Sequence, residues 1–288
     1  MNNPGALGKE PASHAEGRLA MMKPARIVYL GIDVQKAFGR EAKSANLATL
    51  ASQPEGDESV EVLNNARLAS AVYQAGGTVI VTKDWHNPVG TKIFVEGGTV
   101  IDNRAADEFA IYGEHATNAD GDSDLNAPLE SALQQLEARD GHRRTVIPVD
   151  RHETVESGDS QRIFEIHKNV YDITQVEELQ DGVEKGPVVP NQAFWNLMKR
   201  ETSQGPVTLV LGGKIAEVCV RAGAFSLMGG LPGVEMVVPE DAVSSLPAEL
   251  ARQLRLPTKP EVMNQLRERG ARVVKTEEVL GWLIPEGQ

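Results

Sequence analysis

From Ile27 to Ile32 the chain reads Ile-Val-Tyr-Leu-Gly-Ile, apolar almost throughout, and then stops at a carboxylate, Asp33. A strand that is apolar at odd and even positions alike hides both faces, as in a parallel sheet covered by helices on either side. The remaining segments repeat the theme. Strands are predicted at Thr78 to Thr82, Thr145 to Val149, Arg162 to His167, Val207 to Leu211, Val234 to Val238 and Arg272 to Lys275. Val62, Ala66, Ala69 and Tyr73 recur at helical spacing and end at Gly76-Gly77. Further helices are predicted at Pro128 to Glu137, Asn191 to Arg200, Glu217 to Met228 and Glu261 to Arg269. Alternating strands and helices predict a three-layer α/β/α fold with a mainly parallel sheet. In such sheets ligands bind beyond the carboxyl ends of the strands. Asp33, Asp84, Lys168 and the Gly213 to Cys219 turn all fall there. The pattern weakens between Asn87 and Ser160, so the expected organisation is a flexible leader over 1–24 and one domain over 25–288 with a long insertion about 87–160.

Charge and cysteine usage exclude some functions. The 288 residues carry a formal net charge of -12, the wrong sign for gripping a phosphate backbone, so nucleic acid is not an expected partner. No apolar run reaches bilayer-spanning length, and residues 1–23 lack the apolar stretch of a signal peptide. A single cysteine, Cys219, forbids an intrachain disulfide. Together these predict a cytoplasmic protein. Asp120-Gly-Asp122-Ser-Asp124 fails as a calcium loop, because Leu125 stands where glycine is needed and Ser131 where glutamate is. His152-Glu153 lacks the second histidine of a zinc-protease helix, and no phosphate-cradling glycine fingerprint calls for an organic cofactor.

Three residues carry the chemistry. Cys219 sits a few residues past Gly212-Gly213, in the first turn of a predicted helix, where free backbone N–H groups and the helix dipole favour a thiolate and an oxyanion. The competing reading is a small buried hydrophobe packed on the sheet. Asp33, at the end of a buried strand, is desolvated and so raised toward the range useful for proton transfer; its competing role is a cap for the next helix. Lys168 read alone is a solvated surface charge, and beside an acid and a thiol it becomes a partner for the thiolate.

Asp33-Val-Gln35-Lys-Ala-Phe38 resembles the Asp-x-Gln-x-x-Phe opening of the isochorismatase-like cysteine hydrolases, which include the nicotinamidases. Lys168, within Ile166-His-Lys-Asn-Val-Tyr-Asp172, is similar to that family's lysine after a central strand. Gly213-Lys-Ile-Ala-Glu-Val-Cys219-Val220 resembles its nucleophile turn, with Ala216 in place of threonine. The resemblance spans roughly Ile27 to Leu280. It implies a six-stranded parallel sheet, a nucleophilic Cys219, Asp33 as base and Lys168 as electrostatic partner. It also implies a cis peptide between Lys214 and Ile215, with the amides of Ile215 and Cys219 as oxyanion hole. Gln35, Phe38, Trp85 and Trp195 are the expected substrate contacts. Asp84-Trp85-His86 resembles the nicotinamidases' Asp-x-His metal pair, and His115, in Tyr112-Gly-Glu-His115, their next histidine. Two imidazoles and a carboxylate suit zinc, iron or manganese, and in the resemblance that metal orients the substrate's ring nitrogen.

The sequence departs from that pattern in further respects, one being a segment from Asn87 to Ile111 that is longer and less aromatic than expected of a plain nicotinamidase. Many metal-binding relatives place another histidine soon after the first, and Asn87 to Lys92 contains none. The expected activity is hydrolysis of a small amide through a thioester. The alternatives are a metal-free hydrolase of N-carbamoyl, ureido or maleamate-like compounds, and a non-catalytic binding protein of the same fold. The resemblance further implies a homo-oligomer, dimer or tetramer, whose partner is a small-molecule amide.

Overall fold

A computed structural model describes residues 26–40, 56–95, 98–119, 121–151, 160–180 and 186–283. The leader assigned to 1–24, Asp120 and His152-Glu153 lie outside the described residues. In chain order the elements are β1 (Arg26–Ile32), α1 (Val60–Gln74), β2 (Thr78–Asp84), a hairpin of β3 (Thr91–Val95) and β4 (Gly98–Asp102), α2 (Ala106–Tyr112), α3 (Ala127–Asp140), β5 (Thr145–Ile147) and β6 (Ile163–Lys168). A second hairpin follows, β7 (Gln175–Glu177) with β8 (Val188–Pro190), and then α4 (Gln192–Thr202) and β9 (Val207–Gly213). The chain closes with α5 (Arg221–Gly230), β10 (Glu235–Pro239), α6 (Ala248–Gln253), α7 (Lys259–Glu268), β11 (Arg272–Val274) and α8 (Thr276–Leu283). Among the described residues no helix is long and apolar enough to cross a membrane.

The central sheet has seven strands in the order β11-β10-β9-β1-β2-β6-β5, every pair parallel. This is one strand more than the six implied by the resemblance. Both edge strands are three residues long, β5 pairing only with β6 and β11 only with β10. Successive side chains of a strand point to opposite faces. Val28, Leu30 and Ile32 accordingly pack with Phe164, Leu209 and Leu211 under Phe194 and Leu197 of α4, Ala224 of α5 and Leu266 of α7. Ile27 and Tyr29 pack the other way, with Val79, Val81 and Val210, under Leu68 and Val72 of α1, Leu129 and Leu133 of α3 and Val279 of α8. Two cores on one sheet are why β1 and β9 lack polar–apolar alternation. Each fully buried aliphatic or aromatic side chain in them contributes about 1.5–3 kcal/mol.

Within 87–160 the helix expected at Pro128 to Glu137 and the strand expected at Thr145 to Val149 correspond to α3 and β5, and the part with no expected element, about 87–119, is also largely structured. It reads weakly because its elements bury little: Phe94 is 85% exposed, Ile111 is 60% exposed, and α2 has no fully buried residue. With no apolar face there is no helical or strand period to detect.

The turn after β9 depends on glycine. Gly213 has φ +129°, and a Cβ there would lie 2.0 Å from the Ile32 carbonyl oxygen. Gly213→Ala should therefore cost more than about 2 kcal/mol, combining a disfavoured backbone region with overpacking. Urea denaturation checks this, and a loss under about 0.5 kcal/mol would show that the turn tolerates a side chain.

Candidate active site

Three neighbouring strands, β1, β2 and β6, end at one place, and each delivers a charged side chain there. β1 gives way to Asp33, whose φ of +51° turns the chain sharply off the sheet. Its backbone N–H donates to Thr82 Oγ1 at 3.1 Å, and that hydroxyl donates back to Asp33 Oδ1 at 2.7 Å. β2 ends at Asp84 and β6 at Lys168, paired directly in register. All three side chains are buried.

Lys168 is the hub. Its Nζ lies 2.8 Å from Asp33 Oδ2 and 3.3 Å from Asp84 Oδ1, and it donates to the Val170 carbonyl at 3.1 Å. At 3.7 Å it reaches Cys219 Sγ. The structure thus brings Asp33, Lys168 and Cys219 together although 186 positions (219 − 33) separate the first from the last.

Cys219 lies in a short π-helical turn, Ala216–Val220, that leads into α5. The Lys214–Ile215 peptide just before it is cis. Below the turn, Ala216 N–H donates to the Ser244 carbonyl at 2.8 Å and Ser244 N–H to Gly213 at 3.0 Å. Glu217 accepts from Leu246 N–H at 3.1 Å, which holds Leu246 against the pocket.

Electrostatics divide the roles. Burial pushes the Asp33 carboxyl above its ordinary value; Lys168 opposes this and Asp84 adds to it. Burial also pushes the Cys219 thiol well up, against Lys168 and together with Asp33, Asp84 and Glu108. Burial thus favours the neutral thiol and works against the thiolate that a helical first turn would favour. Desolvation and three carboxylates outweigh one ammonium and the turn's dipole. Lys168 is held well above the usual lysine range, because Asp33 and Asp84 overcome the burial penalty.

Beside this triad lies a second cluster. Asp84, His86, Glu108 and His115 each offer a ligand atom, all within 4.8 Å of one another. His86 Nε2 is 3.1 Å from Asp84 Oδ2, and His115 Nε2 is 3.3 Å from Glu108 Oε1 and 3.5 Å from Asp84 Oδ2. His115 Nδ1 donates to the Gly113 carbonyl at 2.7 Å. That fixes the ring so that Nε2 faces the carboxylates, as a metal-binding histidine is fixed by its outer partner. Burial pushes the His115 imidazolium down, but Asp84 and Glu108 more than reverse this and raise it to about 10. Burial likewise pushes Asp84 up, and Lys168 and the two imidazoles hold it well below the usual carboxylate range. A cluster that draws a proton so strongly, with two imidazoles and two carboxylates converging, fits a divalent cation.

Glu108 is the member of this cluster that sequence reading missed. It stands on α2, within the segment whose pattern is weakest. A carboxylate seven residues before His115 was the available sign.

The pocket over Cys219 is lined by Phe38, Asp84, Glu108, Tyr112, His115, Tyr171, Ile215, Val218 and Leu246. Tyr112 and Tyr171 meet edge to face, with ring centroids 5.9 Å apart. Of the expected substrate contacts only Phe38 reaches this pocket. Trp85 stacks on His167 instead, centroids 4.3 Å apart and nearly parallel, because it points to the opposite face of the sheet from its neighbour Asp84. Trp195 packs against α5, where a Cβ on Gly230 would meet its ring at 2.4 Å. Gln35 is buried and committed to backbone: it accepts from Asp84 N–H at 2.7 Å and donates to the carbonyls of Asp84 at 2.9 Å and Ser123 at 2.7 Å. It braces the end of β2 and does not line the pocket.

No family model matches the sequence, and no curated protein matches it. Solved structures do match the fold. A nicotinamidase/pyrazinamidase from Bacillus subtilis superposes with a TM-score of 0.52 at 15% identity, covering 87% of this chain and 100% of that one. A pyrazinamidase/nicotinamidase from Streptococcus mutans UA159 gives 0.53 at 18%, covering 86% and 99%. The chain has the isochorismatase-like fold. Within that fold, Asp33, Lys168 and Cys219 lie at the carboxyl edge of the sheet, the edge at which open α/β sheets bind their ligands.

Proposed function

We propose that this isochorismatase-like chain is a cysteine-dependent amidohydrolase that cleaves a small, uncharged amide through a thioester. The observation that carries this reading is the buried convergence of Asp33, Lys168 and Cys219 beneath an apolar and aromatic pocket. Asp33, whose proton affinity is raised, takes the thiol proton as sulfur adds to the carbonyl carbon. Lys168 stabilises the negative charge on sulfur. The amides of Ile215 and Cys219 hold the tetrahedral oxyanion. Asp33 then protonates the departing nitrogen, the C–N bond breaks and a thioester remains. Asp33 next takes a proton from water, which attacks the thioester, and the acid leaves as Cys219 regains its proton.

Asp84, His86, Glu108 and His115 would hold a divalent cation of the zinc, iron or manganese class. When bound, such an ion neutralises carboxylates that push the Cys219 thiol up and offers open coordination to a lone pair of the substrate. Among the described lining residues none is lysine or arginine. A substrate carboxylate, as in ureido acids or maleamate, would meet the carboxylates of Asp84 and Glu108 there with only His115 to offset them, which favours a neutral amide over the metal-free alternatives.

Ammonia release across nicotinamide, pyrazinamide, benzamide, maleamate and an N-carbamoyl amino acid tests the reading. Expected are turnover of one or more neutral aromatic amides, at least about tenfold loss on dialysis against chelator, and recovery with zinc or manganese. Preference for the two anionic compounds, or turnover indifferent to chelator, would overturn the assignment of substrate or of metal respectively.

A further inference from the structure

Lys214 stands immediately before the pocket-lining Ile215, and its side chain is only 1% exposed. An ammonium is not buried without acceptors to hold it. Its Nζ donates to Asn126 Oδ1 at 2.9 Å and to the Gln35 carbonyl at 3.4 Å. Both acceptors belong to segments that build the opposite side of the site. Gln35 lies two residues beyond Asp33, and its side chain brackets the backbone of Asp84. Asn126 N–H donates to the Val34 carbonyl at 2.9 Å, so this acceptor is anchored to the Asp33 loop as well. Lys214 N–H itself donates to the Ile32 carbonyl at 2.7 Å. One side chain thereby ties the nucleophile turn to the loop of Asp33 and, through Gln35, to the end of β2.

We infer that Lys214 is a positioning residue for the oxyanion-binding amides. This rests on the thioester reading above. The N–H of Ile215 belongs to the peptide that joins it to Lys214, so any drift of Lys214 rotates that donor directly. Holding Nζ between Asn126 and Gln35 fixes the donor against the base and the metal ligand together. Small misplacements of such groups cost large factors in rate.

Two probes of Cys219 separate this role from a general one and need no knowledge of the natural substrate. Iodoacetamide alkylates the sulfur by displacing iodide from carbon, a step that forms no oxyanion. p-Nitrophenyl acetate acylates it: sulfur adds to the carbonyl, the tetrahedral oxyanion collapses, and p-nitrophenolate leaves with the bonding pair, giving a thioacetate. For Lys214→Met the acylation rate should fall about 10- to 100-fold while alkylation stays within about twofold. Lys214→Arg, which keeps a buried cationic donor, should recover part of the loss. Asn126→Ala should move the ratio of the two rates the same way, and it carries the comparison if Lys214→Met does not fold. Equal changes in both rates, or acylation within about twofold of wild type in these variants, would overturn the inference. Wild-type protein acylated no faster than Cys219→Ala would instead overturn the thioester reading itself.

Discussion

Cys219→Ala should abolish turnover, lowering kcat on the order of 10⁴-fold or more, with the protein still folded. The size follows from the arrangement. Asp33 and Lys168 do not contact the substrate as a nucleophile would; they act on a sulfur atom, and without it their proton and charge have no target. Folding should be nearly indifferent. Cys219 is 6% exposed within the core cluster under α5, so removing one sulfur leaves a small void worth about 1 kcal/mol. The ion pair of Lys168 with Asp33 at 2.8 Å needs nothing from the sulfur. Steady-state kinetics on whichever amide proves active, with thermal denaturation alongside, checks both halves. Acid quenching of the wild-type enzyme during turnover should trap an adduct of acyl mass on the peptide containing Cys219. Turnover by the alanine variant within about tenfold of wild type would sink covalent catalysis.

How far the site could be read from the sequence depended on which physical rule placed each residue. Asp33 was legible because it follows a strand buried on both faces, and such a strand announces its own end when the apolar run meets a charge; Asp84, after Lys83, and Lys168, after Glu165-Ile-His167, were legible through their motifs. The two-sided core explains why that signal is so plain. Glu108, Tyr112 and Leu246 were not legible as one wall. They come from α2 and from the segment after β10, and only the packing of those elements over the sheet edge makes them neighbours. Trp85 misled for a reason the strand period could have exposed: one position after Asp84, it faces the other way and stacks on His167. Trp195 was nominated by residue type alone. The upward push on the Cys219 thiol also lay beyond sequence, since it comes from burial first and then from carboxylates brought close by the fold.

Lys168→Met should destabilise the fold by about 3–5 kcal/mol, a large part of the margin by which a domain of this kind is held. Its ammonium is wholly buried and lies within 3.3 Å of carboxylate oxygens of both Asp33 and Asp84. Methionine fills a similar volume, so the loss is that of charge and hydrogen bonds, not of packing. Two buried carboxylates then share an apolar site with no cation between them. Burial already raises Asp33 in the wild type, and removing Lys168 raises it further. A group whose folded value lies above its unfolded one holds protons more tightly in the folded state. Its penalty is therefore small at low pH and grows as pH rises through the folded value. The variant should accordingly recover stability relative to wild type as pH falls. Zinc should recover part of the loss, by neutralising Asp84 through the His86, Glu108 and His115 cluster while leaving Asp33 uncompensated. Lys168→Met with Asp33→Asn should recover more, because the amide needs no counter-ion and can still face Thr82. Urea denaturation of the single and double variants, with chelator and with zinc, measures each contribution. A single variant within about 1 kcal/mol of wild type, or a double variant no better than the single, would mean that Asp33 is not ionised beside Lys168, and the base assigned to the thiol proton would have to be sought elsewhere.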